Sequence, residues 1–332
     1  MSEPTDAADQ PTTARELLAH RDYMLFWSTR VASTLGVQIQ SVALGWQVYA
    51  VARETHSVAQ SAFYVGMIGL VTFIPVLLLA LWAGEAADRY DRKRILQLCY
   101  AGEIASVLLL LAASLLGFAT IPLLLGVAVL FGTSRAFMGP AGTAMGPMLV
   151  PRSLLPRAIA WNSLAWQGGS IIGPALGGAL VSISPAVAYG TTSGLYLVAV
   201  LTVSLIAMNT KPVAQAGSRW TLIKEGLGYV WHNKIVFGAI SLDLFAVLLG
   251  GATALLPVYA RDILHVGAEG FGMLRAGDAI GATLVAMWLA AHPIRTNAGP
   301  IMFVGVAIFA LATIIFGLSQ TFWLSVVALA VL

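Results

Sequence analysis

Charged side chains inside long apolar stretches are the residues of this chain that could do chemistry. They are Arg135, Asp243, Arg275 and Asp278, and each lies within a long, mainly apolar stretch. A charge at the centre of a membrane helix costs about 2.5–3.5 kcal/mol on insertion scales, so a charge that is kept there is a functional candidate. We predict that this set carries protons or recognises the charge of a substrate.

A structural role stays open for several of these side chains. Arg275 and Asp278 are three residues apart, which places them on one helix face, where they could simply neutralise each other. Asp243 has no partner of opposite charge in its own segment, so it is either a proton acceptor or the partner of Arg275. Glu103 lies about two turns into an apolar stretch, from where its side chain can reach the membrane surface.

Two glutamines add uncharged polar groups to the first apolar stretch. Gln40 and Gln47 are seven residues apart and therefore lie on one face of a helix. They predict either a polar wall of a central cavity or hydrogen bonds to neighbouring helices. The spacing is compatible with both interpretations.

The densest group of charges lies between the second and third apolar stretches, in residues 84–94. Arginines and lysines in a short loop hold that loop in the cytoplasm, which is a sufficient reason for the basic residues. A topology signal needs neither a glycine nor an aspartate, so the pattern indicates a further role. The residues of this loop are Gly84, Asp88, Arg89, Arg92 and Arg94, and we call it the gating loop after the role that the resemblance given below implies.

A glycine-rich pattern marks the fifth apolar stretch. Glycines four residues apart allow two helices to approach closely. A proline within a helix removes one backbone hydrogen bond and permits bending. The pattern therefore predicts a closely packed helix that can bend, and it consists of Gly169, Gly173, Pro174, Gly177 and Gly178.

The sequence lacks the patterns of an enzyme or an ATP-driven pump. It contains no H-E-x-x-H, no cluster of cysteine and histidine, and no G-x-x-x-x-G-K phosphate loop. The single cysteine, Cys99, excludes a disulfide framework. The net charge of +3 arises from loops between apolar stretches, which argues against nucleic acid as a partner. We expect no catalytic residues, no metal and no cofactor.

Composition identifies the elements that must position these residues. The 332 residues are 58% hydrophobic and 10% charged, against about 25% charged in soluble domains. A membrane-spanning helix needs about 20 apolar residues. The chain is therefore predicted to be an all-α polytopic membrane protein, with spans near residues 25–52, 62–83, 95–118, 122–150, 158–183, 186–208, 235–260, 270–291 and 300–318, and a tenth from about 321.

The distribution of basic residues predicts the orientation of these spans. Of 18 lysines and arginines, 13 fall on one side of the predicted membrane and two, Arg53 and Arg261, on the other. The side that is rich in basic residues is the cytoplasmic one. Residues 1–22 are polar and read as a cytoplasmic tail, so we expect the N-terminus and the gating loop in the cytoplasm.

An internal repeat predicts two structurally related halves. Gly66-Met67-Ile68 and Gly272-Met273-Leu274 align at an offset of 206 residues, at which Trp82 matches Trp288 and Arg89 matches Arg295. A parallel repeat six spans apart is typical of transporters with two six-helix halves. The predicted units are a six-helix half at 23–208, a cytoplasmic linker at 209–234 and a partial second half at 235–332.

The tenth predicted span is too short to cross a bilayer. Residues 322–332 supply 11 residues where about 20 are needed. Two symmetric halves would contain twelve spans. We therefore expect a chain that stops within the tenth span, with a truncated, non-transporting membrane protein as the alternative to a working transporter.

The motifs together resemble the major facilitator superfamily of transporters. The loop at 84–94 is similar to the superfamily's signature loop, and residues 169–178 are similar to the pattern of its antiporter and drug-exporter branch. Arg135 with Gly139 resembles the superfamily's R-x-x-x-G motif. The stretches 41–49, 73–81 and 149–162 resemble the enterobactin-exporter-like branch, a group of siderophore and drug exporters.

This resemblance implies a fold and a function. It implies the major-facilitator fold, with alternating access around a central cavity and protons as the coupling ion. It implies that the loop at 84–94 is a latch in which Asp88 pairs with an arginine and a helix end of the other half. We expect a monomer in the lipid bilayer of a bacterial inner membrane that exports a small molecule, either a siderophore or a lipophilic drug.

Overall fold

The structure is a computed structural model that describes residues 14–210, 228–249, 251–292 and 298–332. Helices and their connections account for these four ranges, which contain no strand. The first range contains α1 (Ala14–Ala19), α2 (Arg21–Ala52), α3 (Val58–Arg89), α4 (Arg92–Leu116), α5 (Ile121–Met145), α6 (Leu155–Ile183) and α7 (Pro185–Ser204). The later ranges contain α8 (Lys234–Leu249), α9 (Gly267–Ala291), α10 (Ala298–Leu318) and α11 (Phe322–Val331).

Most of the predicted cytoplasmic tail and of the predicted linker lies outside the described residues. The tail prediction covers residues 1–22, of which the structure describes 14 onward. The linker prediction covers residues 209–234, of which 211–227 are outside the description. The division into two halves with this linker therefore stays a prediction.

Short-range signals in the sequence set the ends of the helices. At the start of α3 the Ser57 hydroxyl accepts a hydrogen bond from the Gln60 N–H, and the Gln60 side chain accepts one from the Ser57 N–H, which is a capping box. At the start of α4 the Asp91 carboxylate accepts the Lys93 N–H at 3.1 Å. Helix α4 ends at Gly117, whose φ of 73° lies in the left-handed region that favours glycine.

The seventh predicted span is not one continuous helix, so that part of the prediction was wrong. We expected a helix from 235 to 260, but α8 ends at Leu249 and residues 251–263 form successive 3₁₀, α and π turns. Pro257 lies in this segment and cannot donate a backbone hydrogen bond, which disfavours a regular helix there. The segment reaches the central cavity described below, so the irregular backbone lies where it lines a cavity.

Helices α2–α7, which we call the first helix set, pack around α2. Helix α2 contacts α6 and α7, while α4 packs against α5 and α7, and α3 against α5. Large apolar side chains that these helices do not bury point outward; on α3, Leu77, Leu78 and Trp82 are each more than half exposed. An apolar outer surface is the one that lipid covers, so the first set has the form of a membrane bundle.

Six helices among the described residues are long and apolar enough to cross a membrane. They are α3, α4, α5 with the turn that follows it, α7, α9 and α10. Helices α2 and α6 are also long, but their composition is more polar. These two helices contact each other, and α2 also packs against α7 and α6 against α9, so much of their surface faces protein.

Helices α8–α11 form the second helix set. Within it α9 packs against α11, α10 against α11, and α8 against α10. The main contact between the two sets joins α6 to α9. Gln40 of the first set and Arg275 and Asp278 of the second are thereby brought to the space between α2, α3, α5 and α9.

Candidate functional site

A cavity lies between the two helix sets and is the candidate functional site. Its volume is about 390 Å³. The first set lines it with residues of α2, α3 and α5, and the second set with residues of 253–257 and α9. Apolar walls are formed by Leu44, Val65, Phe131 and Phe271, among others. The cavity is therefore mainly apolar with a few polar groups, which is the usual composition of a small-molecule site.

Arg275 and Asp278 bring charge to this cavity. Both are half-buried and both line it from α9. Within the described part of the chain no ion pair joins their charged groups, although they are close enough to interact electrostatically. The two side chains thus share one helix face, as their spacing predicts, without neutralising each other by direct contact.

Arg135 lies at the edge of the same cavity. Its guanidinium stands over the ring of Phe131 at 5.4 Å from the ring centroid, a cation–π arrangement. Phe131 is itself a lining residue. Arg135 also acts electrostatically on Arg275 across the space between the helix sets. The two arginines, predicted from different spans, therefore belong to one site.

Asp243 does not join this group. Its side chain on α8 is exposed, and the described residues contain no ion pair between it and Arg275. Asp278 lines the cavity, and Asp243 is not among the lining residues. The pairing of Asp243 with Arg275, one of the two alternatives that the sequence leaves open, is absent from the described structure.

The two glutamines hold three helices together. Gln40 donates to the Ser106 hydroxyl of α4 at 3.4 Å and accepts the Tyr196 hydroxyl of α7 at 2.9 Å. Gln47, two turns further along α2, makes the same kind of bridge to α4 and α7, with Ser114 at 2.9 Å and Tyr189 at 2.7 Å. Both glutamines are buried, and Gln40 also lines the cavity.

Glu103 is a buried acid that the sequence did not place correctly. We expected its side chain to reach the membrane surface, but it is 0% exposed on α4. Neither carboxylate oxygen has a hydrogen-bond partner in the described ranges. Arg135 of α5 and Tyr196 of α7 act on this carboxylate. Its position in an apolar stretch is the only signal by which the sequence could have indicated it.

The glycines of the fifth span face two different helices. Gly169, Gly173 and Gly177 lie against α2, where a Cβ atom would stand 2.6 Å from Thr34, 2.5 Å from Gln38 and 3.0 Å from Val42, respectively. Such distances leave no room for a side chain without movement of α2. The stripe of glycines thus allows α2 and α6 to approach closely.

Gly178 lies against the second helix set instead. A Cβ atom at Gly178 would stand 2.5 Å from the Ala268 carbonyl oxygen and 2.9 Å from the Cα atom of Gly272. A Cβ atom at Gly272 would in turn collide with the Pro174 carbonyl oxygen. The contact between α6 and α9 is therefore a contact between backbones, which two opposed glycines make possible.

Polar contacts join the two sets at the end of the bundle that contains residues 53–57 and 264–266, which we call the closed end. Asp262 accepts a hydrogen bond from the Tyr49 hydroxyl and lies 3.6 Å from the Arg53 guanidinium. The Ser182 hydroxyl donates to Glu269 at 3.0 Å. These contacts and the glycine contact of α6 with α9 hold the two sets together on this side of the cavity.

The gating loop lies at the opposite end of the bundle. Gly84 and Asp88 occupy the last turns of α3, and Arg89 forms an exposed ion pair with Glu85 at 2.7 Å. Arg92 donates to the Ala87 carbonyl oxygen at 3.1 Å and also contacts the sulfur of Met148 beyond α5.

The α3–α4 loop is also tied to the end of α7. The ammonium group of Lys93 donates to the Ile206 carbonyl oxygen at 2.6 Å, and Asp91 accepts the Thr210 hydroxyl. Arg94 lies 4.0 Å from Asp91, at the limit of an ion pair. The basic residues of the loop thus order this end of the first helix set.

Comparison with known proteins identifies the family. The model of the family described as transmembrane secretion effector matches residues 12–332, which is nearly the whole chain. The chain belongs to this family. It is a family of major facilitator transporters, so the predictions of this superfamily, of its all-α fold and of a transporter rather than an enzyme are confirmed.

Similar proteins of this family include exporters of siderophores and drugs. The chain is 25% identical to the staphyloferrin A transporter of Staphylococcus aureus over 271 residues, covering 78% of this chain and 65% of that protein. It is 27% identical to the enterobactin exporter EntS of Citrobacter koseri over 326 residues, covering 95% and 74%. It is 29% identical to the multidrug efflux pump Tap of Mycobacterium bovis over 261 residues, covering 72% of this chain and 58% of that protein. The chain thus spans less than two thirds of two of these relatives.

Solved structures show the same fold. A bacterial homologue of the lysosomal transporter Spinster in an inward-facing conformation matches with a TM-score of 0.65 at 19% identity, covering 94% of this chain and 72% of that one. A D-xylose–proton symporter matches with a TM-score of 0.60 at 13% identity, covering 93% and 79%. The six apolar helices and the match to the family together make the chain a multi-pass membrane protein.

Proposed function

We propose that this protein exports a small molecule across a bacterial inner membrane by alternating access, with protons as the coupling ion. The observation that carries the proposal is the cavity between the two helix sets, with Arg275 and Asp278 on its wall and Arg135 at its edge. A mainly apolar cavity with charges of both signs suits an amphipathic solute. Transporters of this fold bind substrate near the middle of the membrane, between their halves.

The orientation of the protein follows from the charges of its loops. The gating loop at 84–94 is strongly basic, so we assign it and the N-terminus to the cytoplasm. The closed end, with Tyr49, Asp262 and Arg53, then faces outward. In this assignment the structure corresponds to an inward-facing state, and transport requires the contacts of the closed end to break.

The two sequence motifs have roles in this cycle. The glycine contacts of α6 let it move against α2 and α9 as a rigid surface, and Pro174 lets it bend. The gating loop stabilises the inward-closed state through Asp88. A bias of a few kcal/mol between two conformations is sufficient for such a latch.

The substrate is a siderophore or a lipophilic drug. The staphyloferrin A transporter and the enterobactin exporters favour the first class, and the efflux pump Tap favours the second. The two arginines at the cavity suit acidic groups of a siderophore, while Phe131 and Phe271 suit a lipophilic ring. We propose that the protein works as a monomer, as the resemblance to the superfamily implies.

Growth of a deletion strain beside its parent tests the proposal. Under iron limitation, siderophore retained inside the deletion strain would assign a siderophore exporter. Increased sensitivity to lipophilic drugs with normal siderophore release would assign a drug exporter. Equal behaviour of the two strains in both assays would contradict export.

Variants of the cavity make this test specific. The phenotype of the deletion strain should be restored by the unmodified gene and by Glu54→Gln, which changes an exposed carboxylate outside the cavity. Arg275→Gln and Asp278→Asn should restore it poorly, although their abundance in the membrane is normal. Full restoration by both cavity variants would show that the cavity is not the transport site.

A further inference from the structure

Glu103 is isolated from other acids in sequence and is fully buried in the structure. It is the only acidic residue between Asp91 and Glu225, so no other carboxyl group occurs in helices α4–α7. The side chain is 0% exposed, and neither of its oxygens finds a hydrogen-bond partner among the residues that the structure describes. An ionised carboxylate in such a place needs a counter-charge, because burial removes its hydration without replacing it.

The groups that face Glu103 come from three helices. Arg135 approaches from α5 and Tyr196 from α7, while Cys99 lies one turn before it on α4 itself. Tyr100 of α4 is also within electrostatic range, and it in turn interacts with Ser33 and Arg30 of α2. Helices α4 and α5 touch beside these two residues, since a Cβ atom at Gly102 would stand 2.5 Å from the Ser134 hydroxyl oxygen. Arg135, the next residue of α5, is thus the cation within electrostatic range of the Glu103 carboxylate.

Two connections lead from Glu103 to the cavity. The first is Arg135, whose guanidinium stands over the cavity-lining Phe131. The second is Tyr196, whose hydroxyl donates to Gln40, also a lining residue. A change of charge at Glu103 therefore acts on groups that form the cavity wall.

We infer that Glu103 is a proton-carrying group of this transporter and that Arg135 is the counter-ion of its ionised form. When the proton leaves for water in the cavity, the carboxylate keeps the negative charge and draws the guanidinium away from Phe131 towards α4. When a proton returns, the guanidinium goes back to the cavity wall. Proton binding thereby changes the charge that a substrate meets. This inference rests on the proposed proton-coupled export.

Infrared spectroscopy of the purified chain in lipid nanodiscs tests the proton site without any transport. The carbonyl band of protonated carboxylic acids is followed as the pH is raised. Glu103→Gln should remove one component of this band, and the control Glu54→Gln should leave that component unchanged. Arg135→Gln should enlarge the component at a given pH, because the ionised form loses its counter-ion. A band that is the same in Glu103→Gln and in the unmodified protein would overturn the inference.

Transport by membrane vesicles gives an independent readout. The probe is ethidium or iron-free enterobactin, according to the class that the deletion strain selects. Glu103→Gln should lose transport driven by a proton gradient and keep exchange of labelled for unlabelled probe, while Glu103→Asp should recover part of the driven transport. Driven transport by Glu103→Gln at the unmodified level would overturn the inference. Absence of driven transport in the unmodified protein would contradict the proposed function instead, and the infrared result would still decide on Glu103.

Discussion

At the scale of single residues, the polar groups of the interior serve two purposes that sequence spacing does not separate. Gln40 both bridges helices and lines the cavity. Gln47 bridges helices in the same way but is not among the residues that line the cavity. Arg275 and Asp278 line the cavity without direct contact to each other. A polar residue in a membrane helix is therefore informative about function only when its neighbours are known.

The bridge made by Gln47 gives a prediction about stability. Gln47→Leu leaves the buried Tyr189 hydroxyl without its acceptor, and an unpaired buried polar group costs about 1–3 kcal/mol. We expect a lower midpoint of thermal unfolding in detergent. Gln97→Leu is the matched control, because Gln97 makes an exposed bond to Ser204 and its loss should change the midpoint much less. Equal shifts in the two variants would contradict the bridge as a stabilising element.

Asp88 gives a prediction about the latch. Asp88→Asn keeps the size of the side chain and removes its charge, so it should reduce transport in whole cells while the amount of protein in the membrane stays normal. Glu85→Gln is a suitable control, because Glu85 pairs with Arg89 in an exposed ion pair, which contributes little energy. Transport by Asp88→Asn equal to that of the unmodified protein would exclude the latch.

At the scale of secondary structure elements, the contact between α6 and α9 is the main one that holds the two helix sets together. It requires glycine on both helices, since Gly178 and Gly272 face each other's backbones. The stripe Gly169, Gly173 and Gly177 does the same for α2. One helix thus presents a smooth surface to two partners, which is the arrangement that sliding or rocking of helices requires.

Gly178→Ala should disturb this contact. The added methyl group would lie 2.5 Å from the Ala268 carbonyl oxygen, and such overpacking typically costs about 1–3 kcal/mol. We expect a lower thermal midpoint and reduced transport. Gly168→Ala is the control in the same helix, because a Cβ atom there would meet nothing within 4 Å. A variant Gly178→Ala that is as stable and active as Gly168→Ala would contradict the close contact.

At the scale of the whole molecule, the contacts at the closed end and the cavity between the helix sets correspond to one state of the proposed transport cycle. The contacts of Asp262 with Tyr49 and Arg53, and of Ser182 with Glu269, must separate when that end opens. Such polar contacts can separate at a modest cost because water replaces them once the end opens. The assignment of this state as inward-facing depends on the orientation of the chain.

A cross-link across the closed end should arrest the transporter. In a Cys99→Ala background, Ser182→Cys and Glu269→Cys together place two thiols on opposite sides of a contact that the native side chains bridge with a hydrogen bond of 3.0 Å. A short reagent that carries two methanethiosulfonate groups should link the thiols and stop transport, and a reductant should restore it. Each single cysteine variant is the control and should keep its transport in the presence of the reagent. Transport that continues through the cross-linked protein would show that this end does not open.

Labelling of single cysteines tests the orientation. In the same Cys99→Ala background, Thr55→Cys at the closed end should react with a membrane-impermeant thiol reagent added to intact cells. Tyr90→Cys, next to the gating loop and 66% exposed, should react only after the cells are opened. The reverse pattern would place the closed end in the cytoplasm and the gating loop outside. The structure would then correspond to an outward-facing state.

Most helices could be predicted from the sequence, because hydropathy and end signals act over a few residues. The predicted spans coincide with α2–α7 and α9–α10 to within several residues. Ser57 and Asp91 mark the starts of α3 and α4, and Gly117 marks the end of α4. The family and the glycine pattern could also be read from the chain. The error in the seventh span arose because apolar composition does not distinguish a regular helix from the turns around Pro257.

Which polar residues meet could not be predicted from the sequence, because it depends on how the helices pack. Arg135 and Glu103 lie on different helices, and their proximity depends on the rotation of α4 and α5 about their axes, which hydropathy does not specify. The same holds for the exposed position of Asp243 and for the bridges of Gln40 and Gln47. In an interior where nearly every residue is apolar, the pattern gives no clear polar and apolar faces, so packing between helices sets the orientation of each one.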